Sequence, residues 1–346
     1  MSTLKHEGKE IRYTICPVGN ASYIAAHKGW LGEGLAKLGV TATLLQTLPK
    51  ERWNVHYDYR DDALFREGGN IPPIWAKSHG REPVLIGLTF LDHKQYIIVN
   101  AASPIDSVEQ LRHRKLGLQV RPGALIDFYK ATAQRGFATA LAARGVTGAE
   151  VEFVELAVDE ANVVPTADKS SGQIEVAALE SGAVDAIFIR GTRAAALLET
   201  GKYKVIFELT AAPHHIAPID NTYPNILTVS RKLAEEAPEI VVEYIKQLFR
   251  AADWARHNRP EVLELFAEQT HGTIGQVANA RGFDFHKHLA PELTEKGLLA
   301  LESQKRFLFD HGYIERDFDI ARWADDHFLN AALAEFGKEQ ALPSAV

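Results

Sequence analysis

The stretch IRYTICPVGNASYIAAHKGWL, residues 11–31, carries the signal that sets the architecture. Its opening residues mix β-branched and aromatic side chains, and Pro17 followed by the turn-prone Gly19 and Asn20 ends that run. A strand is therefore expected to finish near Cys16. The following ASYIAAHKGWL places apolar residues at helical spacing with a glycine near its end, so a short helix should begin just past the strand. Cys16 then sits at a strand-to-helix junction. In open α/β sheets the carboxyl ends of strands face the ligand crevice, and helix N-termini activate thiols.

Further strands are expected at PVLIGLTF (83–90), QYIIVN (95–100), KLGLQV (115–120), VEFVEL (151–156), DAIFIR (185–190), KVIFEL (204–209) and NILTVS (225–230). Helical patterns alternate with them, the signature of βαβ construction on a largely parallel sheet. From about residue 232 the pattern turns helical. SPIDSVEQLRHRKLGLQV reads as a crossover into a second lobe, and TAAPHHIAPIDNTYPN, rich in Pro, His and Asn, as the return. Two crossovers imply a discontinuous first lobe, residues 1–104 with 221–346, enclosing a second lobe at 105–220. Ligands in such architectures sit between the lobes.

Length and composition agree with this. A chain of 346 residues exceeds what one core usually organises, and 46% hydrophobic with 24% charged residues is ordinary for a soluble protein. The net charge of −7 argues against a sequence-independent nucleic-acid binder. No stretch approaches 18 consecutive apolar residues, and MSTLKHEGKEIRYTI is too polar for a signal peptide, so a cytoplasmic location with no membrane partner is expected. The single cysteine excludes an internal disulfide and a thiolate metal cluster. Cys16 is either buried filler or a working thiol, and its setting favours the second.

NVHYDYRDDALFREGGNIPPIWA (54–76) crowds a His, aromatics, an Arg and two glycines into a turn-rich region. Arg offers a planar fork of donors suited to a two-oxygen anion, and Gly68 and Gly69 let backbone N–H groups approach a ligand. The ordinary alternative is a turn in which Arg66 pairs with Asp61 or Asp62 and His56 lies on the surface. HHIAPIDN (214–221) superficially invites a metal, but adjacent histidines seldom both face one ion, and no metal is expected. HGTIGQ (271–276) lacks the spacing of a nucleotide-binding glycine loop, and no cofactor is expected.

CPVGNASYIAAHKGWL, VHYDYRDDALFREGGNIPPI, TIGQVANARGFDF and FLNAAL resemble the 2'-hydroxybiphenyl-2-sulfinate desulfinases, most strongly over residues 13–75. The resemblance implies a two-lobed periplasmic-binding-protein-like type II fold, an α/β architecture with a cleft between lobes and a helical C-terminal part. It also implies cleavage of the carbon–sulfur bond of an aryl sulfinate to release sulfite. By the same resemblance Cys16, His56 and Arg66 are catalytic and the Gly69 N–H belongs to the substrate site; Gly68 and Asn20 are expected beside it from the residues themselves. Cys16 would act as proton donor or as nucleophile; both routes stay open.

Two features depart from that family. Glu67 stands where the compared desulfinase has an aromatic, and FIRGTRAA (188–195) replaces a Trp- and Pro-containing segment. Arg190 and Arg193 are either a solvated helix start or a second anion contact, the latter implying a substrate with an additional carboxylate. RPGALIDFYKATAQRGFATALAARGVTGAE also looks shorter than its counterpart, which would reshape the cleft wall. The expected partner is then a small-molecule sulfinate substrate, and the protein is expected to be a monomer. The alternatives are a non-catalytic binder or sensor for a sulfonate-like or aromatic anion, and a lyase of the same fold with another substrate.

Overall fold

The computed structural model describes residues 6–91, 93–158, 173–211 and 218–341. Among them are ten strands: β1 (Lys9–Ile15), β2 (Val40–Leu44), β3 (Leu64–Gly68), β4 (Pro83–Thr89), β5 (Gln95–Asn100), β6 (Lys115–Val120), β7 (Glu152–Ala157), β8 (Ala186–Arg190), β9 (Tyr203–Glu208) and β10 (Asn225–Ser230). They form two five-stranded sheets, ordered β2-β1-β3-β10-β4 and β7-β6-β8-β5-β9. Most expected strands therefore form within a residue or two of their expected bounds.

Each sheet is mixed rather than largely parallel. The parallel pairs are β1 with β2 and β3, and β6 with β7 and β8. β10 runs antiparallel to β3 and β4, and β5 antiparallel to β8 and β9. The antiparallel members are the strands by which the chain enters one sheet and returns to the other. Because β5 pairs in the second sheet, the first crossing falls between Thr89 and Gln95, earlier than the expected boundary at 104. An apolar run such as QYIIVN reads alike in either sheet, since both faces of both sheets are covered. The return lies between Glu208 and Asn225, bracketing the expected boundary at 220.

The first sheet is packed on both faces. On one face Ile11, Phe65, Ile86 and Val229 meet the helices Ala21–His27 and Pro238–His257, and Phe65 stacks flat on Tyr244 at 4.0 Å. On the other, Leu85, Leu88 and Ile226 meet the helices Ile71–Ser78 and Glu295–Asp310. The second sheet is covered by Phe128–Ala143 on one side and Gln173–Glu180 on the other. The helical C-terminal part thus completes the first lobe.

Residues 54–76 are not a turn region. They fold as the short helix Val55–Asp58, the strand β3 and the helix Ile71–Ser78. β3 lies in the centre of the first sheet with all five residues buried, so Arg66 and Glu67 are interior residues. Their two charges hid a strand whose burial is complete.

Candidate active site

Cys16 follows β1 directly, and its N–H donates to the Glu67 carbonyl at 2.9 Å, extending the β1–β3 pairing by one residue. Pro17 then ends the ladder. Gly19 turns the chain at φ +69°, where a Cβ would come within 2.6 Å of the Phe266 ring and of Arg281. Two distant side chains clamp this turn. Gln269 accepts from the Gly19 N–H at 2.8 Å and donates to the Cys16 carbonyl at 3.3 Å, while Arg281 donates to the Val18 carbonyl at 2.5 Å. Asn20, expected to touch substrate, instead caps the helix Ala21–His27, its Oδ1 accepting from the Tyr23 N–H at 3.0 Å. It is fully buried and does not line the cleft.

The strand register brings Thr14 and Arg66 side by side, both buried. His56, also fully buried, joins them. Its Nε2 lies 3.8 Å from the Cys16 Sγ and 3.2 Å from Arg66 Nη2, and its Nδ1 lies 2.9 Å from the Thr14 Oγ1. A guanidinium can only donate, so the contact with Arg66 makes Nε2 the acceptor and Nδ1–H the donor to Thr14. Burial, then the charge of Arg66, hold the His56 pKa well below its ordinary value, so the imidazole is neutral.

Arg66 is 1% exposed and makes no ion pair among the described residues. Its Nε donates to the His56 carbonyl at 3.1 Å and its Nη1 to the Gly69 carbonyl at 2.8 Å, leaving Nη2 beside His56 and 4.0 Å from the Cys16 Sγ. The sequence alternative of pairing with Asp61 fails, because Asp61 holds Arg12 instead. A buried cation without a counter-charge is costly unless an anion completes it. Gly68 has no room for a side chain: a Cβ there would lie 2.1 Å from the Cys16 Sγ.

Cys16 opens on a cleft of about 500 Å³ between the two sheets' crossover ends. Gly69 lines it, next to the start of the helix Ile71–Ser78, and a Cβ on Gly69 would strike the Asn221 side chain at 2.4 Å. His56 and Arg66 do not line the cleft; they stand behind the thiol. From the second lobe come Phe128, Tyr129, Glu175, Arg190 and Arg193. Arg190 ends β8 and is engaged, donating to the Asp220 carboxylate at 2.8 Å and to the Thr222 hydroxyl at 2.5 Å. Arg193 lies in the helix Gly191–Leu198.

Sequence reading missed Thr14, Asn221 and Glu175. Glu175 is buried in the helix Gln173–Glu180, and burial pushes its carboxyl up to about 7 against the pull of Arg193 and of the Gln119 backbone N–H. Asn221 lay within a stretch read as a crossover and weighed only for a metal; its Oδ1 accepts from the Ile71 N–H at 2.9 Å and its carbonyl from the Asn70 N–H at 2.6 Å. His214 and His215 lie outside the described residues. Among the described residues no group of three or more His, Cys, Asp or Glu could hold a metal ion, and no helix is long and apolar enough to cross a membrane.

No family model matches the chain. It is 28% identical to the 2'-hydroxybiphenyl-2-sulfinate desulfinase of Rhodococcus erythropolis, over 93% of each protein. The similarity to a sulfinate desulfinase thus runs along nearly the whole chain. A crystal structure of a cysteine-to-serine mutant of the desulfurization enzyme DszB, in complex with biphenyl-2-sulfinic acid, superposes with a TM-score of 0.75 at 25% identity, covering 94% of this chain and 99% of that one. The periplasmic aliphatic sulphonate binding protein of Escherichia coli gives 0.68 at 16% identity, over 92% and 93%. The desulfinase and the sulphonate binder thus share the two-lobed periplasmic-binding-protein-like fold seen here.

Proposed function

We propose that this protein is a desulfinase that cleaves the carbon–sulfur bond of an aryl sulfinate, with Cys16 as the proton donor. The observation that carries the reading is the buried Arg66, uncompensated among the described residues, within 4.0 Å of the only thiol of the chain at the edge of the cleft. Similarity to a sulfinate desulfinase along nearly the whole chain supports the same reaction class.

Protonation at the ipso carbon of Ar–SO2⁻ by the thiol gives Ar–H, neutral SO2 and a Cys16 thiolate. The electrons of the breaking carbon–sulfur bond return to the ring. SO2 takes up water to give hydrogen sulfite and a proton, and that proton restores the thiol. The thiolate formed midway lies beside Arg66, where a unit charge at about 4 Å gains about 4 kcal/mol at an effective dielectric near 20. His56 favours this route over nucleophilic attack. Its imidazolium is destabilised by burial and by Arg66, so it is a poor acceptor for the thiol proton at rest. The His56 ring instead fixes the direction of the thiol, and Thr14 fixes the ring.

The sulfinate oxygens are held from the cleft side. Gly69 presents its N–H next to the N-terminus of an eight-residue helix, a favourable place for an anion, and Arg66 acts through its charge from behind the thiol. The role given to Gly68 is to let the strand approach Cys16, and Asn20 positions the helix rather than the substrate.

The test is a panel of aryl and alkyl sulfinates assayed for sulfite and for the desulfinated product. Equimolar sulfite and arene from at least one aryl member is expected. Thermal stabilisation by several members with no sulfite from any would favour an anion binder like the sulphonate-binding proteins.

A further inference from the structure

The cleft carries a second cationic position that the desulfination step does not use. Arg193 lines the cleft from the second lobe and makes no hydrogen bond or ion pair among the described residues, whereas Arg190, three residues earlier, is tied to Asp220 and Thr222. Tyr129 stands near Arg193, and the guanidinium of Arg121 stacks on the Tyr129 ring at 4.0 Å. Arg121 is 5% exposed and makes no ion pair among the described residues. The second-lobe wall of the cleft therefore presents Arg190, already engaged by Asp220, and Arg193, with Glu175 as the carboxylate that lines the cleft beside them. Cys16 and Arg193 line the same cavity, Cys16 from the first lobe and Arg193 from the second.

We infer that Arg193 is a specificity-determining residue that binds a second anionic group on the substrate, so that the preferred substrate class is an aryl sulfinate bearing a carboxylate. The inference rests on the proposed sulfinate site for the position of the reacting end. A planar carboxylate matches the paired donors of a guanidinium, and a partly buried, otherwise unpartnered arginine gives a charge-assisted contact stronger than a neutral one. Glu175 is the internal competitor. With no second anion bound, its carboxylate is the nearest negative charge to Arg193, and a substrate carboxylate replaces it, leaving Glu175 to take up a proton in its buried site.

The experiment compares benzenesulfinate with its 2-, 3- and 4-carboxy derivatives. Binding to the intact protein is measured by calorimetry, and sulfite release gives kcat/KM. At least one carboxylated isomer is expected to bind about tenfold or more tightly than benzenesulfinate, with a matching ratio in kcat/KM. Arg193→Gln collapses that ratio toward one, and Arg193→Lys retains part of it. Glu175→Gln, nearly isosteric and safe for folding, raises the ratio several-fold by removing the competitor. Equal affinity for plain and carboxylated sulfinates, a preference that survives Arg193→Gln, or a Glu175→Gln ratio unchanged from wild type each overturns the inference. Absence of sulfite from every compound overturns the desulfinase reading alone, because the calorimetric preference still reports on Arg193.

Discussion

Gly68→Ala is the most revealing single substitution. A Cβ on residue 68 would sit 2.1 Å from the Cys16 Sγ, 2.9 Å from its Cβ and 3.5 Å from Arg66 Nη1. An ordinary contact needs about 3.5–4.0 Å, so the sulfur must retreat by about 1.5 Å or more. Rotation about χ1 alone does not suffice, because the Cys16 Cβ is also too close and its backbone is held by the Glu67 carbonyl. Opening the Arg66–sulfur separation from 4.0 Å to about 5.5 Å removes about 1 kcal/mol of thiolate stabilisation at an effective dielectric near 20. Misplacing a reacting atom by about 1 Å typically lowers rate about 10²-fold, or about 2.7 kcal/mol. The expected result is a fall in kcat/KM for sulfite release of about 10²-fold or more, with a stability loss of about 1–3 kcal/mol from overpacking, read by thermal melting. A folded Gly68→Ala protein with wild-type kcat/KM would refute the placement of the thiol against β3.

Thr14→Val leaves the His56 Nδ1–H without its acceptor at 2.9 Å, so a loss of about 1–3 kcal/mol in unfolding free energy is expected, together with about a tenfold fall in kcat and little change in KM. Arg66→Lys cannot satisfy both the His56 and Gly69 carbonyls; turnover should drop about 10²-fold or more, and near-normal sulfite release would remove the fork from the account. Glu67→Gln tests the buried carboxyl on the opposite face of β3. Burial raises its pKa from 4.5 to about 7, so its native-state contribution is complete below about pH 4.5 and is lost as pH rises through 7. The variant should therefore match wild type near pH 4.5 and exceed it by up to about 3 kcal/mol at pH 8 in chemical denaturation, a gap that the opposite pH trend would contradict. A flip of the Asn225 amide accommodates the glutamine, since Asn225 Oδ1 has no partner where its Nδ2 donates to Glu67 at 3.2 Å.

Most strands were legible because a strand buried on both faces reads as a bounded apolar run, as in QYIIVN or KLGLQV. β3 escaped that logic. Its LFREG sequence carries Arg66 and Glu67 into the sheet interior, so periodicity pointed to a loop where burial is complete. β2 is a half-exposed edge strand of five residues, VTATL, with too little apolar signal to register. Sheet membership of β5 depends on pairing with β8 and β9, about ninety residues and more downstream, which no local pattern encodes. Cys16 and its strand-end position were legible locally. Thr14, Asn221 and Glu175 were not, because each acquires its place only through contacts made by distant segments. The sequence treated Arg190 and Arg193 as a pair; the structure separates them, since Asp220 neutralises one and not the other.

The claim that Cys16 delivers the proton is tested most directly by Cys16→Ser, assayed beside wild type with the best aryl sulfinate of the panel. A serine hydroxyl is a far weaker acid than a thiol, yet nearly the same size. The account predicts sulfite release at background level while the sulfinate still binds within about tenfold of wild-type affinity, a spread of about 1.4 kcal/mol. Undiminished sulfite release from the serine variant would contradict it.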